Sequence, residues 1–455
     1  MAKMLDLTKG DERKTIVKYA VPLIVGSVLQ NLYSLINSVI VGNYLGKEAL
    51  AAVGISFPII FAVTSLIIGF TIGLSIVIGQ YDNLKKSIST SYISLVVFAI
   101  IMTTFSILTG KYLLKLLGAQ EDIIAQATSY FNVFCLGFLF AFPFNATNAV
   151  LRGIGDSITP VYFLVFSIVV NFVLNYVFVV VLNYGLTSTA WASVIGQILA
   201  LILMIVYINK KHPFISIKLK EMKFDSKIFK YIMKISLPSG IQQFVIAINA
   251  VVLMSLVASF GTDAIAGYSV ATRIDAIASI PAFIFSSALA NFVAQNAGAL
   301  EFKRIKNGLK ATLRITVSMT IIISVLIIIF SKTIMSLFTK DIAVIEIGSE
   351  YLRTLNYFYV LYAMMFAYQS VFRGSGDTMI SMLITLAAIW IVRIPFSYML
   401  SKHLGTLGIW LGIPIGWFVG LILSYSYYKS RRWELKFVMQ MRTRHTPPPE
   451  IADNI

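Results

Sequence analysis

Three charged side chains, Arg273, Asp275 and Arg393, stand inside long apolar runs. An ionised group at the centre of a bilayer costs roughly 2.5–3.5 kcal/mol, so each needs a reason to be there. Asp275 is the carboxylate placed well within such a run, able to take up and release a proton or to ligate Na⁺, and with Arg273 and Arg393 it makes the set of ion-coupling candidates. Residues two apart on a helix do not face each other, so Arg273 and Asp275 need partners on neighbouring helices. Arg393, close before Pro395, is the expected partner of Asp275. The pair reads either as a structural ion pair or as a titrating, substrate-attracting group. Asn171 and Asn175 share a helix face four residues apart and, with Asn37, offer amides to a substrate or Na⁺. Hydrogen bonding between helices is the plain alternative. Gln242, Tyr362, Met365 and Phe366 complete the substrate-binding or polar-cavity candidates, since aromatic faces attract organic cations and methionine adapts to varied shapes. Such a stripe also serves simply to pack against lipid or another helix.

Other chemistry is excluded. His212, His403 and His445 fall in loops or tail, no pair of membrane acids is available for general acid–base work, and Cys135 is the single cysteine. An enzyme, a disulfide and a multi-cysteine metal site are thereby set aside. No Gly-x4-Gly-Lys-Ser/Thr phosphate loop occurs, so neither ATP nor a resident cofactor is expected beyond a coupling ion, H⁺ or Na⁺.

These residues must be positioned by helices in lipid. The chain has 455 residues, 58% hydrophobic and 13% charged, with mean hydropathy +0.83, more apolar than a soluble core requires. Twelve stretches near 20 residues long are apolar enough to span, six between positions 17 and 208 and six between 233 and 427. The expectation is an all-α integral membrane protein of two six-helix bundles, 1–208 and 233–430. A basic cytoplasmic linker loop at 209–232 joins them, and a disordered, irregular cytoplasmic tail is expected at 431–455. Net charge is +17, and the basic residues sit between the apolar blocks, where they fix topology instead of binding nucleic acid. Of the Lys and Arg residues outside the spans, 28 fall on the side of the termini and 7 on the other. The excess predicts cytoplasmic termini in a bacterial inner membrane, and a monomer surrounded by lipid is expected.

The halves repeat. A shift of 215 lays Leu45-Gly-Lys-Glu-Ala-Leu-Ala-Ala52 on Phe260-Gly-Thr-Asp-Ala-Ile-Ala-Gly267 and Gln80 on Gln295, and a shift of 221 lays Arg152-Gly-Ile-Gly-Asp156 on Arg373-Gly-Ser-Gly-Asp377. Six spans per half is an even number, so the repeats are parallel, related by an axis along the membrane normal, with a cavity expected between them. In the Arg-Gly-x-Gly-Asp loops the glycines allow the turn, the aspartate caps the next helix and the arginine anchors its span at the headgroups, with gating as the alternative.

Taken in order, Asn37-Ser-Val-Ile-Val-Gly42, Arg152-Gly-Ile-Gly-Asp156, Thr189-Ala-Trp-Ala192, Pro238-Ser-Gly-Ile-Gln-Gln243, Ala294-Gln-Asn-Ala-Gly298 and Arg373-Gly-Ser-Gly-Asp377 make the chain resemble the multidrug and toxic compound extrusion (MATE) family over about residues 10–430. The resemblance implies a secondary efflux antiporter that exports organic cations or amphipathic compounds in exchange for H⁺ or Na⁺ by rocking two bundles. It also shows where the chain departs. One branch of the family carries aspartates where Asn37 and Asn175 stand, and another carries acids in the seventh and tenth helices, where this chain has an acid-free run about Gln242 and, approximately, Tyr362. The alternative function is a flippase or exporter of lipid-linked or polysaccharide precursors.

Overall fold

The computed structural model describes residues 5–80, 84–117, 121–212, 215–216 and 221–445, and among them there is no strand. The first half runs α1 (Glu12–Ile40), α2 (Gly46–Gln80), α3 (Leu84–Leu116), α4 (Glu121–Leu136), α5 (Phe138–Gly153), α6 (Thr159–Asn175) and α7 (Thr187–Lys211). The second runs α8 (Ser226–Ala258), α9 (Thr262–Gly298), α10 (Phe302–Ser336), α11 (Ile342–Gly374), α12 (Thr378–Leu386), α13 (Ile394–Leu404) and α14 (Thr406–Lys429), followed by α15 (Arg432–His445). Helices α4 and α5 meet at a 40° bend and form one span, while α12 and α13 are joined through the π-helical turn Ala387–Arg393. Each half is thus a six-span bundle, and the chain is an all-α, multi-pass membrane protein.

Ten helices are apolar enough to cross a membrane, or eleven with the α4–α5 pair. The twelfth span is α11, whose run is interrupted by Asn356, Gln369, Arg373 and several tyrosines. Every residue from Met365 to Gly374 is buried, so these polar groups meet protein and not lipid. The duplication persists in the backbone. Gly46 and Gly261 take φ of 82° and 98°, and Gly155 and Gly376 take 92° and 85°, all values that favour glycine.

Two sequence expectations need correction. The linker is shorter than 209–232, because α7 continues to Lys211 and α8 starts at Ser226. Asp225 caps α8, its Oδ1 accepting the N–H groups of Lys227 at 2.9 Å and Ile228 at 3.1 Å. Linker positions 213–214 and 217–220 lie outside the described residues. The tail is not irregular from 431 onward, since α15 is a helix with Trp433 and Phe437 fully buried against Phe302. Lys436 pairs with Asp377 at 2.6 Å and Lys306 with Glu434 at 2.9 Å, docking α15 on the second bundle. Spacing four apart puts both aromatics on one helix face, the signal that the tail's charge and prolines obscure. Residues 446–455 lie outside the described residues.

The bundles meet where α2 crosses α8. A Cβ at Gly69 would lie 2.4 Å from Gly240 Cα, and one at Gly73 would lie 2.4 Å from Ser236 Cα, so backbone touches backbone. Small residues four apart on both helices permit this approach. At the face that carries both chain ends, Gln80 at the end of α2 donates from Nε2 to Gly374 O across the seam at 2.6 Å. Its repeat equivalent, Gln295 of α9, donates to Gly153 O at 2.8 Å. Each bundle therefore holds the glycine loop of the other. The N-terminal segment adds to the seal through Leu7 N–H on Gln295 Oε1 at 3.1 Å.

Candidate functional site

The first bundle contains a polar cavity of about 340 Å³. Asn171, Ser193, Tyr33, Asn148, Gln197 and Arg152 contribute its polar lining, and Phe283, Ile284 and Ser287 of α9 complete the wall. Behind it the predicted asparagines come together. Asn175 Nδ2 donates to Asn171 Oδ1 at 2.6 Å and to Asn37 Oδ1 at 3.2 Å, and Asn171 Nδ2 donates to Ser193 Oγ at 2.8 Å. Asn175 Oδ1 is buried without a hydrogen-bond partner among the described residues. The π-helical turn Tyr176–Val181 begins directly after Asn175, a backbone irregularity of the kind that collects at functional positions. Only Asn171 of the three lines the cavity. Ser193 and Tyr33, whose oxygens stand 3.4 Å apart, were not among the sequence candidates; small hydroxyls in spans are too common to single out.

The second bundle holds Asp275 on α9. Its Oδ1 accepts the Tyr359 hydroxyl at 2.8 Å, and the Tyr351 hydroxyl also faces the carboxyl. The expected ion pair with Arg393 is absent, since Asp275 makes no ion pair among the described residues. Arg393 ends the π-helical turn and is packed against α14, where a Cβ on Gly416 would stand 3.0 Å from the arginine Cβ. Its Nε has no hydrogen-bond partner among the described residues. Arg273 is exposed on another side of α9, away from this cluster. The carboxyl is thus held by tyrosine hydroxyls, with the Arg393 guanidinium near enough to act on it electrostatically but beyond salt-bridge distance.

Tyr362 belongs to the same neighbourhood, its ring 5.3 Å from those of Tyr359 and Trp417 and 4.5 Å from Phe366. Phe366 is buried beneath the Arg373 guanidinium, 5.8 Å from the ring centroid. Met365 is core packing against Gly420, where a Cβ would meet its Sδ at 2.4 Å. Neither side chain lines the described cavity. Gln242 also lies elsewhere, in a buried knot where its Nε2 donates to Thr385 Oγ1 at 2.6 Å and Gln369 Oε1 at 3.1 Å. Phe138 and Phe142, four apart on α5, are core as well, fully buried and packed edge to face.

The family model that matches this chain is MatE, over residues 22–177 and 238–399. A Bacillus subtilis protein named "Probable multidrug resistance protein YpnP" is 30% identical over 443 residues, covering 95% of this chain and 98% of that one. A solved structure described as MATE in the straight conformation is 25% identical with a TM-score of 0.88, covering 96% of this chain and 99% of its own. Another, described as MATE in the bent conformation, is 25% identical with a TM-score of 0.87, covering 97% and 99%. With both bundles matched, the chain belongs to the MatE family of transporters.

Proposed function

We propose that this protein is a secondary active antiporter that exports amphipathic compounds or organic cations in exchange for inward-moving H⁺ or Na⁺. The observation that carries the reading is the duplicated architecture itself. Two like bundles touch along a glycine-faced seam and are tied at one face by reciprocal glutamine bridges, Gln80 to Gly374 and Gln295 to Gly153. Releasing these hydrogen bonds at that face and remaking contacts at the other is the alternating-access step. The multidrug resistance names of relatives such as the Bacillus subtilis protein support the substrate class. Asp275 is the proposed coupling group, while the buried amide oxygens at Asn37, Asn171 and Asn175 form the alternative, a neutral Na⁺ site. A flippase for polyanionic precursors would need many cations along its path, and Arg152 is the charged side chain in the described cavity.

Expressed in a drug-sensitive bacterium, the protein should lower the accumulation of an aromatic amphipathic dye, and an uncoupler should erase the difference. Unchanged accumulation across a broad panel, with the protein present in the membrane, would contradict the efflux reading.

The basic excess on the face that carries the termini supports the reading that both ends are cytoplasmic, and we propose a monomer in the bacterial inner membrane. A cysteine placed at exposed Lys223 should resist an impermeant thiol reagent in intact cells and react in inverted vesicles. Buried Cys135 leaves a low background for that assay. Labelling in intact cells would reverse the topology.

A further inference from the structure

The two Arg-Gly-x-Gly-Asp loops are near copies, yet their arginines sit in different surroundings. Arg373 is only 6% exposed, lies over the Phe366 ring and donates from Nη2 to Ser370 Oγ at 3.1 Å. Arg152 is half-buried, lines the cavity of the first bundle, and its guanidinium makes no hydrogen bond or ion pair with another described residue. The guanidinium expected at the headgroups thus also lines a cavity.

The acid that could have neutralised it is engaged elsewhere. Asp156 caps α6, with Oδ1 accepting from Ile158 N at 3.0 Å and Thr159 N at 2.9 Å, and Oδ2 accepting the Thr159 hydroxyl at 2.5 Å. In the second bundle the equivalent Asp377 takes Lys436 and Tyr427 instead. Among the described residues no Asp or Glu lines the cavity, whose remaining polar groups are amides and hydroxyls such as Gln30, Asn148, Gln197 and Ser287. Apolar walls from Phe144, Leu164 and Phe283 enclose them.

A guanidinium in a half-open, partly apolar cavity, with no protein anion among the described residues that line it, attracts an anion from outside. Its planar fork matches a carboxylate or sulfonate with two parallel hydrogen bonds, and neighbouring amide N–H groups can add to them. The cavity volume falls at the lower end of the range for small-molecule pockets, roughly 300–1,000 Å³, enough for an acid group and an aromatic ring.

We propose that Arg152 makes this cavity an anion-recognising subsite, so that the preferred substrates are amphipathic compounds bearing a carboxylate or sulfonate and not permanent cations. The consequence for transport rests on the efflux reading, whereas the binding preference stands without it. Asn148, four residues earlier on α5, shares the helix face of Arg152 and also lines the cavity. A carboxylate at that position would occupy the guanidinium from within the chain.

The test is equilibrium binding to the full chain in phosphatidylcholine nanodiscs, with no ion gradient. The probes are dansylglycine, an aromatic carboxylate, and its methyl ester. The parent should bind the carboxylate tighter by about tenfold or more, the size expected of a charge-assisted pair. Arg152→Gln should bring carboxylate affinity down to that of the ester, and Arg152→Lys should retain part of the preference. Asn148→Asp, which keeps the arginine, should also remove it. Equal binding of the two probes by the parent would overturn the proposal, as would absence of binding or a preference that survives in both Arg152→Gln and Asn148→Asp. Gradient-driven export of the ester by the parent, measured in parallel, reports on the efflux reading alone.

Discussion

Asp275→Asn protein is expected to reach the membrane folded, to bind substrate at equilibrium, and to lose uphill export by at least about tenfold. Transport against a gradient requires a group whose charge or ligation changes during the cycle, and a carboxyl in mid-span is costly to keep without such a use. Asparagine preserves the shape and an oxygen for the Tyr359 hydroxyl, which now donates to Oδ1 at 2.8 Å, but it cannot release a proton. Gradient-free substrate exchange across the same vesicles should therefore persist while accumulation fails. If the Asp275→Asn protein accumulates substrate at the parent rate, Asp275 is structural, and coupling passes to the amides of Asn37, Asn171 and Asn175.

Gly73→Ala is expected to act on the conformational equilibrium instead. The added Cβ would sit 2.4 Å from Ser236 Cα, and neither backbone can yield without the bundles separating. Overpacking of this kind costs about 1–3 kcal/mol, which shifts a two-state equilibrium by roughly fivefold to 150-fold. Spin labels at cysteines replacing Lys86 on α3 and Lys303 on α10 should then report a population with a longer distance, and export should fall in step. Gly54→Ala, where a Cβ meets nothing within 4 Å, serves as the control and should leave the distances unchanged. An unaltered distance distribution in the Gly73→Ala protein would remove the glycine seam from the transport cycle.

The span pattern and the duplication were legible because burial in lipid writes itself into runs of apolar residues and repeats survive as offsets. Helical spacing also correctly placed Asn171 and Asn175 together, and a family position added Asn37. What spacing cannot supply is the rotation of one helix against its neighbours. Asp275 faces Tyr351 and Tyr359, far along the chain on α11, and nothing local distinguishes those tyrosines from Tyr357, which is exposed. Arg393, close to Asp275 but not bonded to it, is a related case. It lies at the end of a π-helical turn, where one extra residue per turn changes the direction of everything that follows. The unequal fates of Arg152 and Arg373 were hidden in two nearly identical loops, decided by what Phe366 and the α6 cap do in three dimensions. Gln242 was expected in a cavity and instead satisfies Gln369 and Thr385, since a buried amide takes whichever hydroxyls the packing brings to it.

Transport by the purified protein in proteoliposomes, under imposed H⁺ and Na⁺ gradients applied separately, bears on all of this at once. One charge moving through 100 mV supplies about 2.3 kcal/mol, enough for roughly fifty-fold accumulation of an uncharged solute against one coupling ion. One of the two gradients should drive an aromatic amphipathic compound uphill, and collapsing that gradient with the matching ionophore should return the flux to the passive rate. If neither gradient drives accumulation while downhill flux through the same vesicles continues, the protein is not an ion-coupled antiporter.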